Sequence, residues 1–224
     1  MILMIGWRGE PGVKDEPQHI HQGRVTLKML ENMDIPYIVL SKNEDQSDRQ
    51  IKNMIKEVGS GLDFAVYNVG NSRPGKIIEM DANYFRESWE SCCFGGFLFA
   101  KEVVKSFLSE KTAGTIIFTG ATASIRGKEG FAAFAGAKHA KRALAQSMAR
   151  ELGPKGIHVA HIIIDGAIDT PWVNKLFPDY VKQKKKIDGL MNPDDIAQNY
   201  LMIHNQPKNS WTFEIDLRPW VETW

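Results

Sequence analysis

Cysteine is nearly missing from this chain of 224 residues, which holds only Cys92 and Cys93. Adjacent residues in a stretch with helical spacing cannot staple distant segments, so a disulfide framework is excluded. A charge excess of either sign is missing too. The 28 basic and 27 acidic residues leave a formal +1, and no global field draws in nucleic acid or an anionic membrane. Long apolar runs are the third absence. The opening MILMIG is too short for a signal-peptide core and has no basic residues before it, and nothing later approaches the roughly 18 apolar residues of a membrane span. These absences predict a soluble cytoplasmic protein without nucleic-acid or membrane partners. What is present is ordinary: 43% apolar, 25% charged and 10% aromatic residues, enough to bury a sizeable core in one α/β domain.

Six short runs read as buried strands: MILMI (1–5), PYIVLS (36–41), DFAVYNV (63–69), TIIFTG (115–120), IHVAHIII (157–164) and WTFEIDL (211–217). Between them lie stretches with helical spacing, such as Phe97, Val103, Val104 and Phe107, or Ala140, Leu144, Met148 and Leu152. Strands alternating with helices predict βαβ units. Continuous apolar runs, rather than alternating ones, suit a parallel sheet covered on both faces. The fold class is therefore α/β, a single doubly wound Rossmann-like domain with a mostly parallel sheet of about six strands and helices on both faces. GWRGEPGVKDEPQH (6–19), with its glycines and prolines, reads as a long stiff loop. The lysines around Lys182, Lys184, Lys185 and Lys186 read as a solvated helix face or an anion site.

Residues 63–220 resemble the short-chain dehydrogenase/reductase family, and the likeness is carried by motifs in the right order. DFAVYNVGN (63–71) is similar to the strand and Asn-Asn-Ala-Gly segment, and WESCCFGGFLFAKEVV (89–104) to the long helix that follows. GTIIFTGATAS (114–124) is similar to the strand ending in the catalytic serine. FAAFAGAKHAKRALAQSMARELGPKGIHVAHIIIDGAIDTPWV (131–173) is similar to the Tyr-x-x-x-Lys helix, its next strand and the Pro-Gly loop. The resemblance implies an NAD(P)-dependent oxidoreductase. It places cofactor contacts at Asn68, Gly70, Lys138, Gly166 and Thr170, and it implies a homodimer or homotetramer built on helices at about 84–109 and 131–153.

Carried over residue by residue, the resemblance also predicts a loss. Of the catalytic set Lys138 is retained, and it reads either as a ribose ligand or as a helix-surface lysine. The tyrosine position is Phe134, the serine position Ala121 and the asparagine position Cys93. Phenylalanine has no ionisable group, and losing positioned acid–base catalysis forfeits about 10²–10⁴-fold in rate. His139 lies one helical step beyond Lys138, about 100° round the axis, and so off the Phe134 face. Thr119, Thr122 and Ser124 flank the serine position as candidates to polarise a carbonyl.

The front end follows another pattern. Gly6, Gly9 and Gly12 recur at three-residue spacing among Glu10, Asp15 and Glu16, which is neither the family's phosphate-binding turn nor a welcoming charge for pyrophosphate. Residues 1–40 instead resemble part of the pyrimidine-binding domain of thiamine-diphosphate-dependent phosphonopyruvate decarboxylase. The activating glutamate and the Gly-Asp-Gly magnesium motif of that family have no counterpart, so neither thiamine diphosphate nor a metal is expected; His19 and His21 lack a third ligand in view. The organisation implied is one domain over 1–224, with an atypical βαβ start at 1–41 joined to the dehydrogenase-like body. The functional expectation is a divergent short-chain dehydrogenase/reductase-like protein, inactive or weakly active, a pseudoenzyme with a chimeric N-terminus. The alternatives are a non-catalytic oligomeric or binding protein on the same fold and, more remotely, decarboxylase fragment activity. The tail WTFEIDLRPWVETW reads as a last strand plus tryptophans that lie at a subunit interface or cap their own core.

Overall fold

The computed structural model describes residues 1–6, 26–41, 43–70 and 72–223. The glycine-rich turn beyond Gly6, with His19 and His21, lies outside the described residues. Five strands form one sheet: β1 (Ile2–Ile5), β2 (Phe64–Asn68), β3 (Thr115–Thr119), β4 (His158–Ile164) and β5 (Glu214–Leu217). Every pairing is parallel, and the order β1-β2-β3-β4-β5 follows the chain without a reversal among the described strands. The helices are α1 (26–32), α2 (Glu44–Val58), α3 (Ala82–Trp89), α4 (Gly95–Ser109), α5 (Ala132–Leu152), α6 (Pro171–Leu176), α7 (Pro178–Lys185) and α8 (Pro193–His204).

Side-chain alternation along the strands makes two cores. Ala65, Tyr67, Ile116, Phe118 and Val159 face one way, against Ile51 and Ile55 of α2, Phe99, Val103 and Phe107 of α4, and Ala145 and Leu152 of α5. Phe64, Val66, Ile117, Ala160 and Ile162 face the other way, against Ile203 of α8. Helices therefore cover both faces, as the apolar strand runs require. The helices begin where the sequence supplies caps: the side chain of Asn43 accepts from the Gln46 amide, that of Asp81 from Asn83, and that of Asn192 from Asp194. In α4 the buried seam includes Phe99 and Ala100, while Phe97 turns outward. No described helix is long and apolar enough to cross a membrane.

Among the described residues the sheet has five strands where the apolar runs suggest six. PYIVLS (36–41) is no strand, and its backbone finds other partners. The Gln50 side chain, on α2, accepts from the Ser41 amide at 2.8 Å and donates to the Val39 carbonyl at 3.1 Å. One amide side chain thereby takes hydrogen bonds that a neighbouring strand would have made. β1 consequently ends the described sheet, with Leu3 and Ile5 exposed.

The expected helix at 84–109 is continuous but carries a π-turn over Glu90–Phe94. There the Gly95 amide bonds to the Glu90 carbonyl, which frees the Ser91 carbonyl. Tyr67 fills the opening and donates its hydroxyl to that carbonyl at 2.5 Å. Gly95 makes room, because a Cβ there would sit 2.6 Å from the Tyr67 hydroxyl oxygen.

Candidate functional site

The residues singled out by sequence converge at the carboxyl ends of β2, β3 and β4. Lys138, on α5, is 5% exposed, so it is no surface lysine. Its Nζ donates to the Thr119 carbonyl at the end of β3, 3.1 Å away. Gly70 lies directly over the amine: a Cβ built there would be 3.0 Å from Nζ. Phe134, one turn earlier on α5, places its ring centroid 5.5 Å from the same nitrogen. The tyrosine position is thus occupied by a ring stacked near the amine without a hydroxyl to titrate. His139 is exposed and its Nδ1 is 2.9 Å from the Ala135 carbonyl oxygen, turned away from this group.

One turn further along α5, Lys141 is fully buried. Its Nζ donates to the Val69 carbonyl at 2.9 Å and stands 5.5 Å from the Tyr67 ring. The two lysines therefore clamp the loops that leave β2 and β3. Burial, reinforced by the mutual repulsion of two ammonium groups, pushes Lys138 well below the usual lysine range; Lys141 is lowered mainly by burial. Cys92 and Cys93 are buried free thiols in the π-turn beside them, and burial raises the Cys93 thiol. A raised thiol is a poor nucleophile, so Cys93 packs as a small apolar residue at the asparagine position.

At the serine position Ala121 supplies no hydroxyl, and its three candidate neighbours each make a hydrogen bond within the protein. Thr119 shares a 2.8 Å hydrogen bond with Tyr200 on the far face of the sheet. Ser124, fully buried, accepts from the Ala121 amide at 3.1 Å. Thr122 donates to Asp165. Asp165 stands where the family's proline would be, is 2% exposed, and lies between Arg126 at 3.5 Å and Arg218 at 3.4 Å; Arg218 also pairs with Asp216. In the following loop Gly166 receives Pro219, whose Cδ would be 2.6 Å from a Cβ there. Thr170 precedes α6 with its hydroxyl buried and without a hydrogen-bond partner among the described residues. Asn68 is exposed at the end of β2. Asn68, Gly70, Lys138, Gly166 and Thr170 thus share one edge of the sheet.

Sequence reasoning passes over a second buried polar group. His161, fully buried on β4, sets Nδ1 2.9 Å from Glu214 Oε2, and Arg142 of α5 grips the same carboxylate through two contacts of 2.6 and 2.7 Å. His161 Nε2 faces Gly120, where a Cβ would come within 2.5 Å, and has no hydrogen-bond partner among the described residues. Burial, helped by the nearby Lys141 and Lys138, brings His161 down to about 4 against the pull of Glu214. The signal was available: a histidine inside the apolar run HVAHIII needs a partner once that run is buried. Among the described residues no group of three or more His, Cys, Asp or Glu is placed to hold a metal.

Comparison with known proteins follows the body of the chain. The family profile described as enoyl-(acyl carrier protein) reductase, adh_short_C2, matches residues 36–212. The 3-ketodihydrosphingosine reductase of Mus musculus is 26% identical over 167 residues, covering 72% of this chain and 50% of the relative. The chain spans about half the length of the curated relatives it matches. A crystal structure of a short-chain dehydrogenase from Rhodopseudomonas palustris shares 35% identity at a TM-score of 0.66, covering 89% of this chain and 82% of that one. An alcohol dehydrogenase from Thermococcus sibiricus, complexed with 5-hydroxy-NADP, superposes with a TM-score of 0.71 at 18% identity over 99% of this chain and 97% of that one.

Proposed function

The chain belongs to the short-chain dehydrogenase/reductase family, and from that membership we propose a divergent member that keeps an NAD(P)-facing crevice but lacks the machinery to move a proton. The observation that carries this reading is Phe134 beside Lys138, with Thr119 and Thr122 hydrogen-bonded to the side chains of Tyr200 and Asp165. The residues present fit the nicotinamide half of a dinucleotide. The Thr170 hydroxyl is buried without a partner among the described residues and suits a carboxamide; Lys138 and Gly70 would hold the ribose, with Asn68 and Gly166 beside them. When bound, the cofactor supplies hydride chemistry; the chain's own contribution is orientation and exclusion of water. No residue at the tyrosine position gives or takes the substrate proton.

The N-terminal likeness to phosphonopyruvate decarboxylase supports a chimeric start at 1–41, in line with a family match that begins at residue 36. β1 joins the sheet in parallel with β2, and Leu40 packs against the core beside it. Assembly through α3–α4 and α5 is supported by Phe85, Trp89 and Phe97, each more than 40% exposed along α3 and α4. A cytoplasmic protein that pairs through these helices is the setting proposed.

Titration with NADH and NADPH, read by nicotinamide fluorescence, tests the crevice. Enhancement in the micromolar range, lost on Thr170→Val, supports it. No change at high micromolar concentration of either nucleotide overturns it and leaves the non-catalytic binding role on the same fold.

A further inference from the structure

After Thr170 the chain leaves the carboxyl end of β4 and returns to almost the same place at Met191. The Met191 amide donates to the Ala167 carbonyl at 2.9 Å, the Asp169 amide donates to the Met191 carbonyl at 2.8 Å, and Ile168 and Met191 form a parallel bridge. Helices α6 and α7 are therefore a side excursion whose two feet are tied together. Of its described side chains, Val173 and Val181 are buried, while Phe177, Tyr180 and Ile187 are each more than 40% exposed. A segment with so little buried apolar surface opens more readily than the core. The end of the chain fastens it. Pro219 packs on Gly166 at one foot, where a Cβ would be 2.6 Å from Pro219 Cδ, and Val221 packs on Gly189 at the other, where a Cβ would be 3.1 Å from Val221 Cγ2. Between them the Trp220 indole donates to the Ile187 carbonyl at 3.1 Å, and Glu222 stands 4.0 Å from Lys184. The Glu222 amide bonds back to the Pro219 carbonyl at 2.9 Å, which bends these four residues into one short hook. Trp220 is 78% exposed, so its ring caps no core. Lys185 ties the excursion to Asp169 at 2.9 Å as well, but an ion pair this exposed contributes little.

We propose that residues 219–222 are a latch that holds α6 and α7 down as a lid on the carboxyl edge of the sheet. At the foot of that lid the Thr170 hydroxyl is sealed from solvent, and it becomes reachable when the hook lets go. The latch acts on the excursion as a body, because it grips both feet, at Gly166 and Gly189, and the turn between α7 and the second foot, at Ile187. It works without nucleotide, so the titration above bears on the crevice and leaves the latch to a separate measurement.

The test uses the full chain and two readouts. Thr170→Cys puts a thiol where the hydroxyl is sealed, and its alkylation by iodoacetamide, followed by peptide mass spectrometry, reports access to that position. Trypsin cleavage after Lys182, in a chain that keeps Thr170, reports opening of α7. The hook is loosened by Trp220→Phe, Val221→Ala and Glu222→Gln together, which remove the indole donor, the methyls over Gly189 and the charge facing Lys184. Both rates should rise about tenfold, since attack on a transiently open segment follows its open population. Cys92 and Cys93, buried in the π-turn, report opening of the whole domain and should keep their original rate. Unchanged rates at position 170 and Lys182 overturn the proposal. Faster cleavage at Lys182 without faster alkylation at position 170 also overturns it, because the excursion would then cover nothing. So does alkylation of Cys92 and Cys93 that rises in step with position 170, which would make the tail a support of the whole domain.

Discussion

Tyr67 reaches across from β2 and donates its hydroxyl to the Ser91 carbonyl, which the π-turn leaves without a helical partner. Gly95 is the residue that permits this, since a Cβ there would stand 2.6 Å from the hydroxyl oxygen. Gly95→Ala alone should therefore destabilise the fold by about 1–3 kcal/mol through overpacking. Tyr67→Phe alone should cost about 1–2 kcal/mol for the lost hydrogen bond. The double variant should be less unstable than the sum of the two, because removing the oxygen relieves the clash; urea unfolding of all four chains gives the coupling. Strict additivity would show that the tyrosine does not shape the turn.

Stability should fall with acid through the range set by His161. Its folded value lies near 4, below the 6.5 of an ordinary histidine, so the unfolded chain binds the extra proton between those values. The contribution is intact above about pH 6.5, declines as pH falls and is gone by about pH 4, amounting to as much as about 3 kcal/mol. Glu214, held low chiefly by Arg142, loses its contribution in the same direction at still lower pH. Melting temperatures from pH 7.5 to 4 should show this slope, and His161→Gln should flatten it. An unchanged slope in that variant would assign the acid sensitivity elsewhere.

On the proposed reading, Phe134→Tyr together with Ala121→Ser should not confer carbonyl reduction. The new serine would adjoin Thr122 and Asp165, an acidic group locked between Arg126 and Arg218, and the family's Pro-Gly loop is already altered there. Steady-state assays with NADH and NADPH over a panel of aldehydes and ketones check this. Turnover by the double variant, absent from the wild-type chain, would overturn this expectation.

The outward faces of α3 and α4 should govern association. Replacing Trp89 and Phe97, each just over 40% exposed, by serine should shift the chain toward monomer in light scattering while leaving its circular dichroism unchanged. An oligomer that survives both changes would place the contact on another surface.

What the sequence disclosed, and what it withheld, follows from the range of the interactions. β2, β3 and β4 were legible because a strand buried on both faces must be largely apolar, whatever its neighbours, whereas half-buried β5 alternates Glu214 and Asp216 with Ile215 and Leu217. PYIVLS carries the same local signature, yet strand status depends on a partner elsewhere, and Gln50 supplies the hydrogen bonds instead. The positions of Lys138, Phe134 and Gly70 were legible from motif spacing. Their new relationship was not: Lys141 reads as one more helix lysine until α5 is laid on the sheet and its amine is found under Val69. The links among His161, Glu214 and Arg142 span three elements, and only His161 left a mark in its own segment.

The sheet order has a kinetic consequence. Each described strand pairs with the described strand before it in the chain, so none of these five must insert between two already in place. β2, β3, β4 and β5 can add one after another at a single growing edge, each closing only its own crossover. β1 is made first but waits longest: Ile2 meets Ala65, the widest separation in sequence among the four pairings.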